Sequence, residues 1–260
     1  MHLTPIDTPE AVLPPHLLEK FTGAAVYDSS CSPEARVYFI DKDGGYFVKK
    51  TALSLEKEAV MSRYFHSLGL SAEVVYYSAG ETELLVTKKV RGSDLTSQIY
   101  LDEPKRMAAL MGEHLRALHE REAASCPIKH RTQDYLSTFA EGYRIKRFDP
   151  SYIDPRLGFC DMERAMRYVD EKRHLLEENV LLHGDFCLPN IIFDEWKLSG
   201  YIDLGGGGIG DRHIDLFWGA WTLNFNLHTE KYRDTFFDAY GRDKVDEEKL
   251  LLVSAIEAFG

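Results

Sequence analysis

What this sequence lacks narrows its class first. Long apolar runs are missing, so no stretch reads as a helix able to span a bilayer. Cysteine is scarce: Cys31, Cys126, Cys160 and Cys187 lie far apart with no C-x-x-C pair, and reduced thiols are expected rather than a disulfide framework or a zinc site. Positive charge is in deficit, 31 Lys and Arg against 42 Asp and Glu, for a formal net charge of −11. A nucleic-acid partner is therefore not expected, because phosphate contacts need a basic face, whereas a cationic ligand is compatible with the acidity. The opening residues Met1-His2-Leu3-Thr4-Pro5 have neither the basic nor the apolar region of a signal peptide, which leads us to expect a cytoplasmic protein without a membrane partner. Internal repeats, low-complexity segments and linkers rich in Gly, Ser or Pro are also missing.

What is present is a soluble-enzyme composition, 44% hydrophobic over 260 residues, and one stretch with chemistry in it. His183-Gly184-Asp185 leads through Cys187-Leu188-Pro189 to Asn190, and Ile202-Asp203-Leu204-Gly205 follows. An Asp and an Asn five positions apart, then an Asp-x-Gly, stand in the order of a kinase catalytic loop and metal-binding Asp. Asp185 can accept the proton of an attacking hydroxyl. Asn190 and Asp203 offer the hard oxygens that suit Mg²⁺ across nucleotide phosphates. Between them, Ile191 to Phe193 and Leu198 to Ile202 read as two strands joined by the turn Asp194-Glu195-Trp196-Lys197.

Upstream, Ala24 to Tyr27, Arg36 to Ile40 and Tyr46 to Lys49 form a three-strand meander, after a short helix expected around His16 to Phe21. The first turn of the meander carries no G-x-G-x-x-G, only small polar residues able to meet phosphate through N–H and hydroxyl groups. Tyr46-Phe47-Val48-Lys49 has the form of the kinase strand whose Lys reaches the α and β phosphates; alternation turns Lys50 the other way. Ser54 is placed to cap a helix that offers Glu56 and Glu58 to that Lys. Glu73 to Tyr77 and Glu83 to Thr87 complete five antiparallel strands, and Lys88-Lys89-Val90-Arg91-Gly92 follows as a polar connector. In a kinase-like chain it would be the hinge, where main-chain groups at Lys89 and Val90 would meet adenine. Beyond Asp94 the pattern is helical over Lys105 to His119, Thr132 to Tyr143, Cys160 to Leu176, Asp215 to Leu223 and Lys249 to Phe259. His114 and His119 read as helix-face residues rather than ligands.

The ordered set, with Cys31-Ser32-Pro33, Val90-Arg91-Gly92-Ser93-Asp94-Leu95, Asp211-Arg212, Asp215 and Phe237-Asp238-Ala239-Tyr240-Gly241 added, resembles the aminoglycoside 3′-phosphotransferases over most of the chain. The resemblance implies an α+β, bilobal, protein-kinase-like fold. A lobe of residues 1–90 would hold a five-stranded sheet and one helix, and residues 91–260 a mostly helical lobe with the catalytic hairpin. It implies Asp185 as catalytic base, Asn190 and Asp203 as Mg²⁺ ligands, Lys49 as the phosphate contact with Glu58 as partner, and Ser32 over the β-phosphate. His183, Asp211 and Asp215 would support the loop. ATP or GTP would be the donor and a cationic aminoglycoside the acceptor, in a monomer or weak dimer. A kinase of another hydroxylated metabolite, of the choline or homoserine kind, and a non-catalytic nucleotide-binding module are the alternatives.

Departures from the family fall on the acceptor side. Gly206 stands where the family has an Arg after the Asp-x-Gly. Glu257 and Phe259 fit the family's acidic carboxyl-terminal end, but Ile256 replaces an acid and Gly260 shifts the terminal carboxylate. The stretch after Asp215 carries Trp218, Trp221 and Phe225 in place of charge, which suggests a less cationic acceptor. Asp149, Asp154 and Asp161 are the remaining acids available to hold amines.

Overall fold

The computed structural model describes residues 3–6, 12–31 and 33–260, and the chain falls into two compact units. The first unit comprises Met1–Gly92 with Ile192–Gly205, the second Ser93–Ile191 with Gly206–Gly260.

The first unit is built on an antiparallel sheet of β1 (Thr4–Pro5), β2 (Ala25–Asp28), β3 (Arg36–Asp41), β4 (Tyr46–Thr51), β5 (Val74–Ser78) and β6 (Glu83–Lys88), in the order β1-β2-β3-β4-β6-β5. The sheet has one strand more than the five expected. β1 is a two-residue edge strand whose Pro5 sits opposite Tyr27, a place where the missing N–H of proline is tolerated. Period-two alternation then sorts the two faces. Tyr46 and Val48 are buried with Val26, Ile40, Leu84 and Val86 against Leu17 and Phe21, on the side of the short helix α1 (Pro15–Leu18). Lys49 pairs with Leu85 across β4 and β6, and Leu85 packs on Leu55 and Ala59, so Lys49 lies on the face covered by α2 (Glu56–Ser67). The cap of α2 differs from expectation: Leu55, not Ser54, is its N-cap, held by an N–H bond of 2.6 Å to the Glu83 carboxylate, while Ser54 Oγ accepts the Glu56 N–H at 3.3 Å.

The hairpin of β9 (Ile191–Asp194) and β10 (Lys197–Tyr201) turns through Glu195 and Trp196 with φ of 48° and 65°, the left-handed pair of a two-residue hairpin. It was expected with the helical half, but 192–205 group with the first unit. The Tyr201 N–H donates to the Leu70 carbonyl at 2.8 Å, and the Tyr201 ring meets Phe65 edge-on at 6.2 Å.

The second unit is mostly helical: α3 (Gln98–Leu101), α4 (Pro104–His119), α5 (Arg131–Arg144), α6 (Met162–Lys172), α7 (Arg212–Leu227), α8 (Arg233–Tyr240) and α9 (Glu247–Glu257). It also holds the two-residue β7 (Ser93–Asp94) and the antiparallel pair β8 (Val180–Leu182) and β11 (Gly208–Gly210), with Leu181 opposite Ile209. α6 is shorter than the run expected from Cys160, because residues 173–175 tighten into a 3₁₀ turn. The core of the second unit gathers Phe139, Val169, Leu182, Ile214, Leu252 and Val253 from five elements, and Phe259 from just beyond α9. Among the described residues no helix is long and apolar enough to cross a membrane.

Candidate active site

In the first unit Lys49 Nζ sits 2.8 Å from Glu58 Oε2 and 2.5 Å from Asp203 Oδ1. Three residues distant in sequence thus form one charged cluster. Burial opposes the charge of Lys49, but the Asp203 and Glu58 carboxylates lift it well above the ordinary lysine value, so it is a permanent cation. Glu58 is pushed up by burial and by Asp203, against the pull of Lys49. Glu56, the other acid offered by the sequence, is exposed. Asp203 holds φ of 61°, a conformation that non-glycine residues seldom adopt, and its side chain is half exposed. Ser32 lies outside the described residues. The Lys89 N–H already donates to the Gly45 carbonyl at 2.9 Å, its ammonium rests over the Phe39 ring, and Val90 is half-buried.

In the second unit the 183–190 loop is braced at nearly every residue. Buried Asp215 on α7 accepts the His183 and Gly184 N–H groups, each at 2.7 Å. Thr222, two turns on, accepts the Leu188 N–H at 3.2 Å. His183 Nδ1 accepts the Asp185 N–H at 3.2 Å, which places its own proton on Nε2. The Asn190 amide donates to Asp185 Oδ2 at 2.8 Å and to the Asp185 carbonyl at 3.1 Å. That arrangement occupies the amide protons and leaves Asn190 Oδ1 as its open oxygen, while the Asp185 carboxylate also meets the Cys187 thiol. Burial and the neighbouring Asp185 push the Cys187 thiol far up, so it is no nucleophile.

The support of Asp215 was only partly foreseen. His119, read from sequence as a helix-face residue, is buried with Nε2 at 3.1 Å from Asp215 and Nδ1 at 2.8 Å from the Tyr240 hydroxyl. Burial outweighs the pull of Asp215 and holds His119 below the ordinary histidine value, hence neutral at pH 7. Asp211 caps α7 through the His213 N–H at 2.9 Å and accepts the Glu177 N–H at 2.9 Å. Burial opposes its charge, yet the His213 side chain and these N–H groups hold its carboxyl below the usual range.

Beside the loop is a cavity of about 180 Å³ lined by Arg131, Tyr135, Gly184, Asp185, Trp218 and Glu257, among others. Glu257 Oε1 accepts from the Tyr135 hydroxyl at 2.8 Å and from Trp218 Nε1 at 2.9 Å. Burial pushes its carboxyl up to about 7 despite those two donors, and the Asp185 charge adds to the rise. Arg131 was missed by sequence reasoning. Its Nε donates to the Gly206 carbonyl at 2.6 Å, which puts a cation in the cavity where the sequence had seemed to lose one. Gly206 has its own cause: a Cβ there would come within 2.8 Å of the Gly184 carbonyl, and a Cβ on Gly184, whose φ is +87°, within 1.9 Å of the Gly206 carbonyl.

The other acids expected to hold amines have local partners. Asp149 is exposed and accepts the Ser151 N–H, and Asp161 caps α6 through the Arg164 N–H. Asp154 pairs with Arg156 at 2.7 Å. Phe259 is fully buried, 4.8 Å from the Phe139 ring and 5.1 Å from Phe148, so its side chain is core, and its carbonyl accepts from Arg147 Nε.

By their chemistry the donors of each unit suit a metal-nucleotide: in the first, a permanent cation at Lys49 beside the half-exposed carboxylate of Asp203; in the second, taken by itself, the amide carbonyl oxygen of Asn190, whose nitrogen is engaged by Asp185. The fold is the α+β one of the kinase-like phosphotransferases. A solved aminoglycoside 3′-phosphotransferase of type VIII matches it with a TM-score of 0.77 at 24% identity, over 98% of this chain and 100% of that one. An aminoglycoside phosphotransferase from Streptomyces rimosus in complex with ADP and streptomycin matches with a TM-score of 0.69 at 18% identity, over 98% and 100%. The model of the phosphotransferase enzyme family matches residues 32–251, and the chain belongs to that family. A probable aminoglycoside 3′-phosphotransferase of Lactococcus lactis subsp. lactis (strain IL1403) is 44% identical over 249 residues, 95% of each chain.

Proposed function

We propose that this chain transfers the γ-phosphoryl group of ATP, or of GTP, to a hydroxyl of an aminoglycoside antibiotic, a kanamycin-kinase-like activity exercised in the cytoplasm and conferring resistance. The observation that carries the reading is the cavity in which Asp185, fit to take a hydroxyl proton, is joined by Glu257, a carboxyl able to hold an amine.

Asp185 orients the attacking hydroxyl. The Asn190 amide fixes its carboxylate through Oδ2, and the carboxylate takes the proton of the hydroxyl as the oxygen attacks. Lys49 holds a positive charge for phosphate oxygens, and Glu58 keeps its ammonium in place. We assign Mg²⁺ ligation to Asp203 and Asn190; when bound, the ion neutralises charge on the phosphates. Positioning and fixed charge carry most of the rate in such chemistry, and no covalent enzyme intermediate is required.

The test is a coupled assay of ADP release over kanamycin-type aminoglycosides and small amino alcohols such as choline. Aminoglycoside-stimulated release is expected. Stimulation by amino alcohols alone would remove the acceptor assignment, and stimulation by none of them with ATP still bound would remove the enzyme.

A further inference from the structure

We propose that Trp218, Trp221 and Phe225 on α7, together with Tyr152, form an aromatic platform that seats the outer ring of a multi-ring aminoglycoside and so sets a preference for larger acceptors. The proposal rests on the acceptor reading above.

The four rings are contiguous. Trp218 and Trp221 meet edge-on at 5.3 Å, Trp221 and Phe225 stack at 4.8 Å with 13° between their planes, and Tyr152 stacks on Trp221 at 5.8 Å. Helical spacing produces the row, since positions 218, 221 and 225 recur on one face of α7. At the α-helical rise it extends about 10 Å, room for one further sugar ring and its glycosidic link.

One end of the row belongs to the acceptor cavity and the other to solvent. Trp218 lines the cavity and donates to Glu257, whereas Phe225 is 61% exposed. Trp218 packs against the buried cluster of the second unit; Trp221 and Phe225 are not among its members. Phe225 at the outer end is exposed and Trp221 is half-buried, and single exposed aromatics are ordinary where a row leading out of a cavity is not.

The chemistry names the occupant. Aromatic faces take the C–H faces of sugar rings and the ammonium groups they carry; since Trp221 is stacked by Phe225 and Tyr152, the face offered at the outer end is that of the exposed Phe225, which Trp221 holds in place. The one fixed cation of α7 is Arg212 at its first position, directed to the Tyr240 hydroxyl, and no Lys or Arg occurs from 213 to 230, the stretch that carries the row. The tryptophans that by sequence pointed to a less cationic acceptor thus suit a cationic one bound by its faces.

The test compares acceptors that share a core and differ in length, the two-ring neamine and the four-ring neomycin. In Phe225→Ala and Trp221→Ala we expect KM for neomycin to rise about tenfold with kcat unchanged, and KM for neamine to stay within about twofold. Phe225→Trp keeps a ring face and should retain the wild-type preference, which separates a platform from a fold defect. Equal losses on both acceptors, or none on either, would overturn the platform while leaving the phosphotransferase reading intact. A wild-type enzyme inactive on both would instead remove that reading. A dimer in sedimentation velocity that Phe225→Ala dissolves would assign the face to a second copy and overturn the proposal.

Discussion

The 183–190 loop and the wall of the cavity beside it lie in the same unit, yet they are held in different ways. The loop is fixed from within and below: its N–H groups end on His183, Asp215 and Thr222, and Asn190 closes back on Asp185. The wall is assembled from α5, α7 and α9, and its polar centre is one carboxyl with two neutral donors on a single oxygen. The two parts therefore tolerate change unequally. A loop whose every bond serves the position of one carboxylate is intolerant, whereas a wall of side chains from separate helices can be re-lined to suit another acceptor.

The largest effect is expected at the loop. Asp185→Ala should lower kcat by about 10³-fold or more, with nucleotide affinity near the wild-type value in a fluorescent-nucleotide titration. Retained turnover would dismiss Asp185 as the base. Next in size is Asp215→Ala, which strands two buried N–H groups and leaves His119 without its acid partner. Two stranded donors imply a loss of about 2–5 kcal/mol in urea denaturation, with reduced kcat in whatever folds. A change below about 1 kcal/mol would mean that the loop stands without its brace.

The smallest effect belongs to the wall, and its sign is opposite. The Glu257 carboxyl is pushed up to about 7 in the folded protein from an ordinary value of 4.5. Between those values the folded chain keeps a proton that the unfolded chain has released, so stability falls as pH rises from about 4.5 to about 7. Glu257→Gln removes the ionisation. It should be more stable than wild type at pH 8 by about 1–3 kcal/mol and lack that pH slope, read from urea denaturation at pH 5 and pH 8. An identical slope in both proteins would place the titration elsewhere.

Legibility in the sequence follows the same division. The strands along the chain, the inward face of Lys49 and the hairpin turn were readable because period-two alternation and local turn chemistry determine them, whereas the choice of Glu58 over Glu56 as the partner of Lys49 came from the family resemblance. The two-residue β1 and the eight-residue α8 carry too few residues to show a period, and neither was foreseen. His119 looked like any histidine on an amphipathic helix, since its partners Asp215 and Tyr240 lie about a hundred positions away or more. Arg131 gave no signal, because its bond is to a main-chain carbonyl, which any residue type presents. Ser32, given to the β-phosphate by resemblance, lies outside the described residues.

The sequence by itself determined the types and order of the groups suited to phosphoryl transfer, Lys49, Asp185, Asn190 and Asp203, because spacing within a loop or a strand is a local property. Only the tertiary structure decided that Arg131 enters the cavity beside Gly206, that Glu257 is buried enough to hold its proton near neutrality, and that the aromatic rings of α7 continue outward from Trp218. Those outcomes depend on which helices meet and how much water their meeting excludes, and no short stretch of chain encodes either.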